Sequence, residues 1–207
     1  MSSAPTREVA RRVFAREFND ATYTFKESDD DRAPVYALLP TGERANRIFV
    51  VGTLTETEDI GEDSEYWQGR VVDPNGGTFF TYAGQYQPDA ASMLRDLEPP
   101  AYVAVVGKPR TYETDDGEVN VSVRPESISK VDENTRDRWV VEAAEKTLDR
   151  IERFQAASED DGATPSEYVA MAQSEYDLPV ENYRRAVVEA LESLEDEQAE
   201  EPPEPTA

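Results

Sequence analysis

The stretch that decides the fold is Tyr66–Pro88, YWQGRVVDPNGGTFFTYAGQYQP. Two β-rich runs, Tyr66–Asp73 and Thr78–Ala83, flank Pro74-Asn75-Gly76-Gly77. Glycine there supplies the positive φ that a tight turn between strands requires. The two runs therefore form a hairpin. A short helix, Gln87–Leu97, follows and is opened by Pro88-Asp89 and broken by Pro99-Pro100.

Working outward, Arg47–Thr57 reads as a strand broken at Gly52, and the acidic loop Glu58–Glu65 joins it to the hairpin. Beyond the helix, Ala101–Tyr112 and Val119–Ile128 form strands joined by an Asp115-Asp116-Gly117 turn. Three strands, a helix and two more strands in about 85 residues is the element order of an OB-fold, a small five-stranded barrel that binds oligonucleotides or oligosaccharides. Gly52 and Gly107, inside strands, suit the sharp bends of such a barrel. The expected architecture is thus mainly β with helices: a five-stranded OB-fold barrel, preceded by an N-terminal helix and followed by a long helix and a small C-terminal helical region.

Five segments follow. Residues 1–45 are read as an N-terminal helix (5–19) and a strand (22–27), and 46–131 as the OB-fold. Residues 132–157 are a long assembly helix. Residues 158–195 are a small helical module opened by a capping box at Thr164-Pro165-Ser166-Glu167. Residues 196–207 are a disordered acidic tail.

The chain of 207 residues has 45 Asp+Glu against 21 Lys+Arg, a net charge of −24, and neither Cys nor His. This excludes disulfides, thiol nucleophiles, thiolate metal sites and imidazole bases. No phosphate-binding glycine loop of the GxxxxGK[ST] or GxGxxG type occurs. Acidic runs such as Asp29-Asp30-Asp31 and Asp160-Asp161 are what this composition produces without a metal. The expectation is a non-enzymatic protein without cofactor. No apolar run is long enough for a membrane span, and Met1–Arg16 lacks the apolar core of a secretory signal, so a soluble cytoplasmic protein is expected.

Only Lys26, Lys108, Lys130 and Lys146 are lysines, against 17 arginines. Acid-rich, Lys-poor, Cys-free composition is the habit of proteins from molar-salt cytoplasm, where the Debye length is about 3 Å at 1 M. Counterion release then adds little to nucleic-acid affinity. Stacking and hydrogen bonds must supply it, and net charge no longer vetoes DNA binding. The hairpin aromatics Trp67, Phe80 and Tyr82, with Tyr86 beyond, compete between filling the barrel and facing solvent as a stacking platform. Phe79 and Phe80 point oppositely, so one of them is outside. Arg70, Lys108 and Arg110 are the candidate phosphate contacts.

Glu133–Gln155 carries an apolar stripe at helical spacing: Trp139, Val140, Ala143, Ala144, Leu148, Ile151 and Phe154. Trp139, Leu148, Ile151 and Phe154 are the candidate partner-binding residues. The competing reading packs them on the chain's own barrel or C-terminal helices.

Tyr66–Pro74, followed by Gly77-Thr78-Phe79-Phe80 and Tyr82–Pro88 (YAGQYQP), resembles the haloarchaeal replication protein A-associated proteins, single-OB companions of archaeal replication protein A. The resemblance covers roughly residues 5–195. It implies a single-stranded DNA-binding accessory subunit in DNA replication and repair, assembled as a hetero-oligomer with replication protein A subunits. The layout also resembles the middle subunit of eukaryotic replication protein A, whose post-barrel helix assembles the complex. Its base-stacking region matches Trp67, Phe80, Tyr82 and Tyr86. The alternative function is an OB module that binds the main single-stranded DNA-binding protein without appreciable DNA affinity of its own.

Overall fold

The hairpin forms as the sequence indicates. In the computed structural model, which describes residues 8–159 and 166–200, β6 (Trp67–Val72) and β7 (Thr78–Ala83) pair antiparallel from Trp67↔Ala83 to Val72↔Thr78. Gly76 sits in the turn with φ of 82°, where a side chain would be strained. Asp73 holds the loop: its carboxylate accepts from the Gly77 N–H at 2.9 Å and from the Ala15 N–H at 2.7 Å.

The preceding strand, β5 (Ile48–Asp59), pairs with β8 (Ala101–Glu113) through residues 48–54 and with β6 through residues 53–59. One strand thus serves two neighbours on opposite sides and must bend sharply. It bends at Gly52, where a Cβ would collide with the Val72 carbonyl oxygen. The last strand, β9 (Val119–Lys130), is antiparallel to β8 and touches β7 in parallel at Thr81↔Val123. The order β5-β6-β7-β9-β8, with β8 returning to β5, closes a five-stranded OB-type barrel. Helix α2 (Pro88–Asp96) plugs it with Leu94. Val50, Leu54, Val71, Phe79, Val103 and Val123 fill it.

Around the barrel the N-terminus departs from the expected helix. Residues 5–7 lie outside the described region. Arg11–Arg12 form a short strand, β1, parallel to β5, and only Ala15–Asp20 are helical (α1). Val13 and Phe14 are fully buried while Val9 is exposed. Extended chain laid along β5 buries that pair better than a helix over 5–19 would. The strand expected at 22–27 is Thr24–Lys26 (β2). It belongs to a three-stranded antiparallel sheet with Val35–Leu39 (β3) and Glu43–Ala45 (β4). Sequence reading did not anticipate the latter two.

Helix α3 (Glu133–Glu159) runs on through the residues read as the start of a linker. Helix α4 (Glu167–Glu175) starts two residues later than the expected box, which opened at Thr164: Ser166 is the N-cap, its hydroxyl accepting from the Val169 N–H at 3.3 Å. Thr164 and Pro165 lie outside the described residues. Helix α5 (Glu181–Glu200) extends into the stretch 196–200 read as tail, and 201–207 lie outside. Helix α4 docks on the small sheet, where the Tyr176 hydroxyl donates to the Leu38 carbonyl at 2.7 Å and accepts from the Tyr23 N–H at 3.1 Å. Helix α5 packs on α3 and α1.

A buried ion pair ties these layers. Arg150 of α3 meets Glu17 of α1 at 2.5 Å, and both side chains are almost wholly enclosed. Thr41, Thr147 and the Arg12 carbonyl satisfy the remaining hydrogen-bonding groups. Such a pair survives burial only when so satisfied.

Candidate nucleic-acid interface

Strand alternation sorts the hairpin residues onto two faces. Phe79, Thr81 and Ala83 point into the barrel and are buried, whereas Phe80 and Tyr82 point out. Their cross-strand partners on β6 are Arg70 opposite Phe80 and Gln68 opposite Tyr82. Because Thr81 and Val123 are adjacent and both inward, Arg124 of β9 shares the outer face. Across from β9, Lys108 stands opposite Arg124, Arg110 opposite Ser122, and Tyr112 opposite Asn120. Four strands thus present one continuous mixed surface of rings and guanidiniums.

The surface is concave. A groove of about 490 Å³ is lined by Tyr66, Tyr82, Gln87, Arg110, Tyr112 and Arg124, among others. A smaller recess of about 300 Å³ adjoins it through Gln87 and Arg124, beside Tyr86. Tyr66 and Tyr82 are stacked, with centroids 6.0 Å apart and planes 15° apart. Tyr82 is fixed further by Gln68, whose amide donates to its hydroxyl at 2.9 Å. Tyr86 is 83% exposed.

What marks this face electrostatically is that its unpaired basic residues are gathered on one surface. Some arginines elsewhere are neutralised locally, Arg47 by Glu126, Arg44 by Glu8 and Glu27, Arg12 by Glu142, whereas Arg16, Arg32, Arg138, Arg153 and Arg185 stand scattered without an ion pair among the described residues. Among the described residues, no carboxylate lies within 4.0 Å of Arg70, Lys108, Arg110 or Arg124. Burial, and then the charge of Arg124, push the Arg110 pKa below its ordinary value. Burial and the nearby Tyr82 push Tyr112 up. The acids instead crowd the two loops bounding the groove, 58–65 and 113–118.

A larger recess of about 620 Å³ lies between β1 and α3. Most of its basic residues are already paired: Arg11 with Glu43 at 3.3 Å, Arg12 with Glu142 at 2.7 Å, Lys146 with Asp149 at 3.7 Å and Arg150 with Glu17, while Arg153 donates to the Asp149 carbonyl at 3.0 Å. It offers a ligand little unspent charge. Among the described residues, no group of three or more carboxylates converges as a metal site, and no helix is long and apolar enough to cross a membrane.

Of the sequence candidates, Arg70, Phe80, Tyr82, Lys108 and Arg110 come together on the outer face, with Tyr86 at its rim. Trp67 does not join them. It shares the inner side with Gly69 and Val71, packs against the barrel core, and buries its indole N–H without a partner. Tyr112 went unremarked in the sequence, and Tyr66, Gln68 and Arg124 were not assigned to the site. The Asp115-Asp116-Gly117 turn holds the missing signal: counting back from it places Tyr112 opposite Asn120 and Lys108 opposite Arg124.

The residues offered to a partner are spent inside the chain. Trp139 is 2% exposed, meets Phe14 edge-on at 5.5 Å and donates its indole N–H to the Phe49 carbonyl at 3.0 Å. Leu148 packs against the main core, and Ile151 and Phe154 against Tyr183 and Val180 of the C-terminal region. The structure therefore encloses Trp139 and Ile151 within the chain and leaves Leu148 and Phe154 only partly covered.

No protein-family model matches the chain, and no curated protein matches it by sequence. Several solved structures resemble parts of it. The second single-stranded DNA-binding protein (SSBb) from Mycobacterium smegmatis is 21% identical, covering 42% of this chain and 86% of that one, with a TM-score of 0.34. Rim1, a mitochondrial single-stranded DNA-binding protein of S. cerevisiae, is 17% identical over 42% of this chain and 92% of its own, with a TM-score of 0.33. An OBody, AM1L10, bound to hen egg-white lysozyme, is 14% identical over 64% of this chain and all of its own, with a TM-score of 0.36. At these scores the likenesses carry no argument about function, and the assignment of the OB barrel rests on its strand order and register.

Proposed function

We propose that the chain binds single-stranded DNA across the β6-β7-β9-β8 face, as a non-enzymatic accessory of replication protein A in replication and repair. What supports this most is the set of unpaired cations, Arg70, Lys108, Arg110 and Arg124, beside the stacked Tyr66 and Tyr82. In a chain with 45 acids, leaving four neighbouring bases without carboxylates costs favourable pairing unless an anion occupies the face. Outward Phe80 and Tyr82 supply π-faces for bases, each worth about 1–3 kcal/mol.

The test is titration of the folded protein with labelled oligo-dT at ~0.2 M and ~2 M KCl, comparing low and high screening. Phe80→Ala and Tyr82→Ala should each weaken binding by about 1–3 kcal/mol, roughly 5- to 150-fold. A folded wild-type protein that binds no oligonucleotide at either salt would instead leave the chain as an OB module for a protein partner. That partner would have to use a surface other than the enclosed part of the α3 stripe.

A further inference from the structure

Resting on that reading, the geometry points to a discrete phosphate subsite at the centre of the groove, formed by Arg110, Arg124 and the Tyr82 hydroxyl. Three observations converge on it. Arg110 and Arg124 lie on adjacent strands and line the same groove, where burial first, and then the charge of Arg124, lower the Arg110 pKa. Neither has a carboxylate within 4.0 Å among the described residues. Two guanidiniums held together without a counterion form an anion site awaiting its anion, because their fork of N–H donors matches phosphate oxygens.

The third observation concerns the proton of Tyr82. Its hydroxyl oxygen already accepts from the Gln68 amide at 2.9 Å. It also shares a hydrogen bond with the Tyr112 hydroxyl. Whichever of the two donates to the other, one O–H of the pair is left to donate to a phosphoryl oxygen in the groove. Tyr82 therefore acts twice, through its ring stacked on Tyr66 and through the hydroxyl pair it makes with Tyr112. Arg70 and Lys108, which do not line the groove, take a lesser part.

A phosphate here could belong to the interior of a strand or to its terminus. The same chemistry would bind both, and 5′-phosphorylated and unphosphorylated oligo-dT separate them. The decisive comparison uses natural oligo-dT and oligo-dT with a neutral methylphosphonate backbone, against wild type, R110Q/R124Q and Tyr82→Phe. Wild type should lose at least tenfold in affinity when the backbone is neutral. R110Q/R124Q should bind natural oligo-dT at least tenfold more weakly than wild type, yet barely distinguish the two backbones. Tyr82→Phe keeps the ring and should fall between them.

If R110Q/R124Q still favours the charged backbone as wild type does, the subsite is wrong while single-strand binding stands. If folded wild type binds neither oligonucleotide, both readings fall. Circular dichroism of each variant excludes unfolding as the cause.

Discussion

Asp73 is a single carboxyl with two duties. It closes the hairpin turn through Gly77 and takes the place of a side-chain cap on α1 by accepting from Ala15, since Phe14 offers none. Burial pushes its pKa up to about 6, overcoming the opposing pull of the amides of Ala15, Gly77 and Asn75. A raised pKa means the folded state holds the proton more tightly. The stabilisation is full below the unfolded value near 3.8 and is lost as pH rises through about 6. Two units correspond to about 3 kcal/mol. Urea titrations at constant molar salt should show the wild type losing stability relative to Asp73→Asn between pH 4 and 7. Parallel curves across that range would show that Asp73 does not carry this dependence.

At the scale of elements, the groove lies between two acidic loops. Glu62 and Asp63 bound one end and Asp115 and Asp116 the other, all exposed. In dilute salt these walls repel a phosphate backbone at long range. At about 1 M the Debye length shrinks to about 3 Å, and only the contacts of the groove remain. Oligo-dT affinity should therefore stay flat or rise with salt, against the usual fall. Neutralising the four acids to amides should tighten binding in dilute salt and restore a downward slope, measurable by titration from ~0.2 to ~2 M KCl. An unchanged slope would remove the loops from the account.

These elements were legible in the sequence to different degrees. The hairpin, both turns, α2 and the strand order could be read because glycine positions and period-two alternation are local signals. The β3–β4 pair was not legible. Its strands are short, and what stabilises them is α4, some 130 residues away in sequence. The face of Trp67 was also hidden, because Val71 and Val72 leave the phase of β6 undecided until β7 pairs with it. The stripe of α3 was correctly seen as needing cover, but amphipathicity does not say whether the cover is one's own barrel or another chain.

For the whole molecule, barrel and helices share one core: Phe14, Phe79, Trp139 and Val187 belong to a single buried cluster. Residues 46–131 expressed alone should thus fail to fold cooperatively, lacking Phe14, Trp139 and Val187. Truncating a buried Trp or Phe costs about 3–5 kcal/mol, and the excision removes several such groups against a total stability of about 5–15 kcal/mol. A sharp thermal transition from that fragment would show the barrel to be autonomous.

The ends of the described chain also clasp each other. Tyr183 donates to Asp20 at 2.9 Å, and Tyr176 bridges Tyr23 and Leu38. During synthesis the small sheet and α1 leave the ribosome before either of these partners. At about 5–20 residues per second, their partners in α4 and α5 emerge on the order of ten seconds later. The barrel lies between them in the chain and emerges in that interval. The nascent chain must leave this clasp unmade until α4 and α5 arrive, so the amino-terminal segment is secured only after the barrel between them has been synthesised.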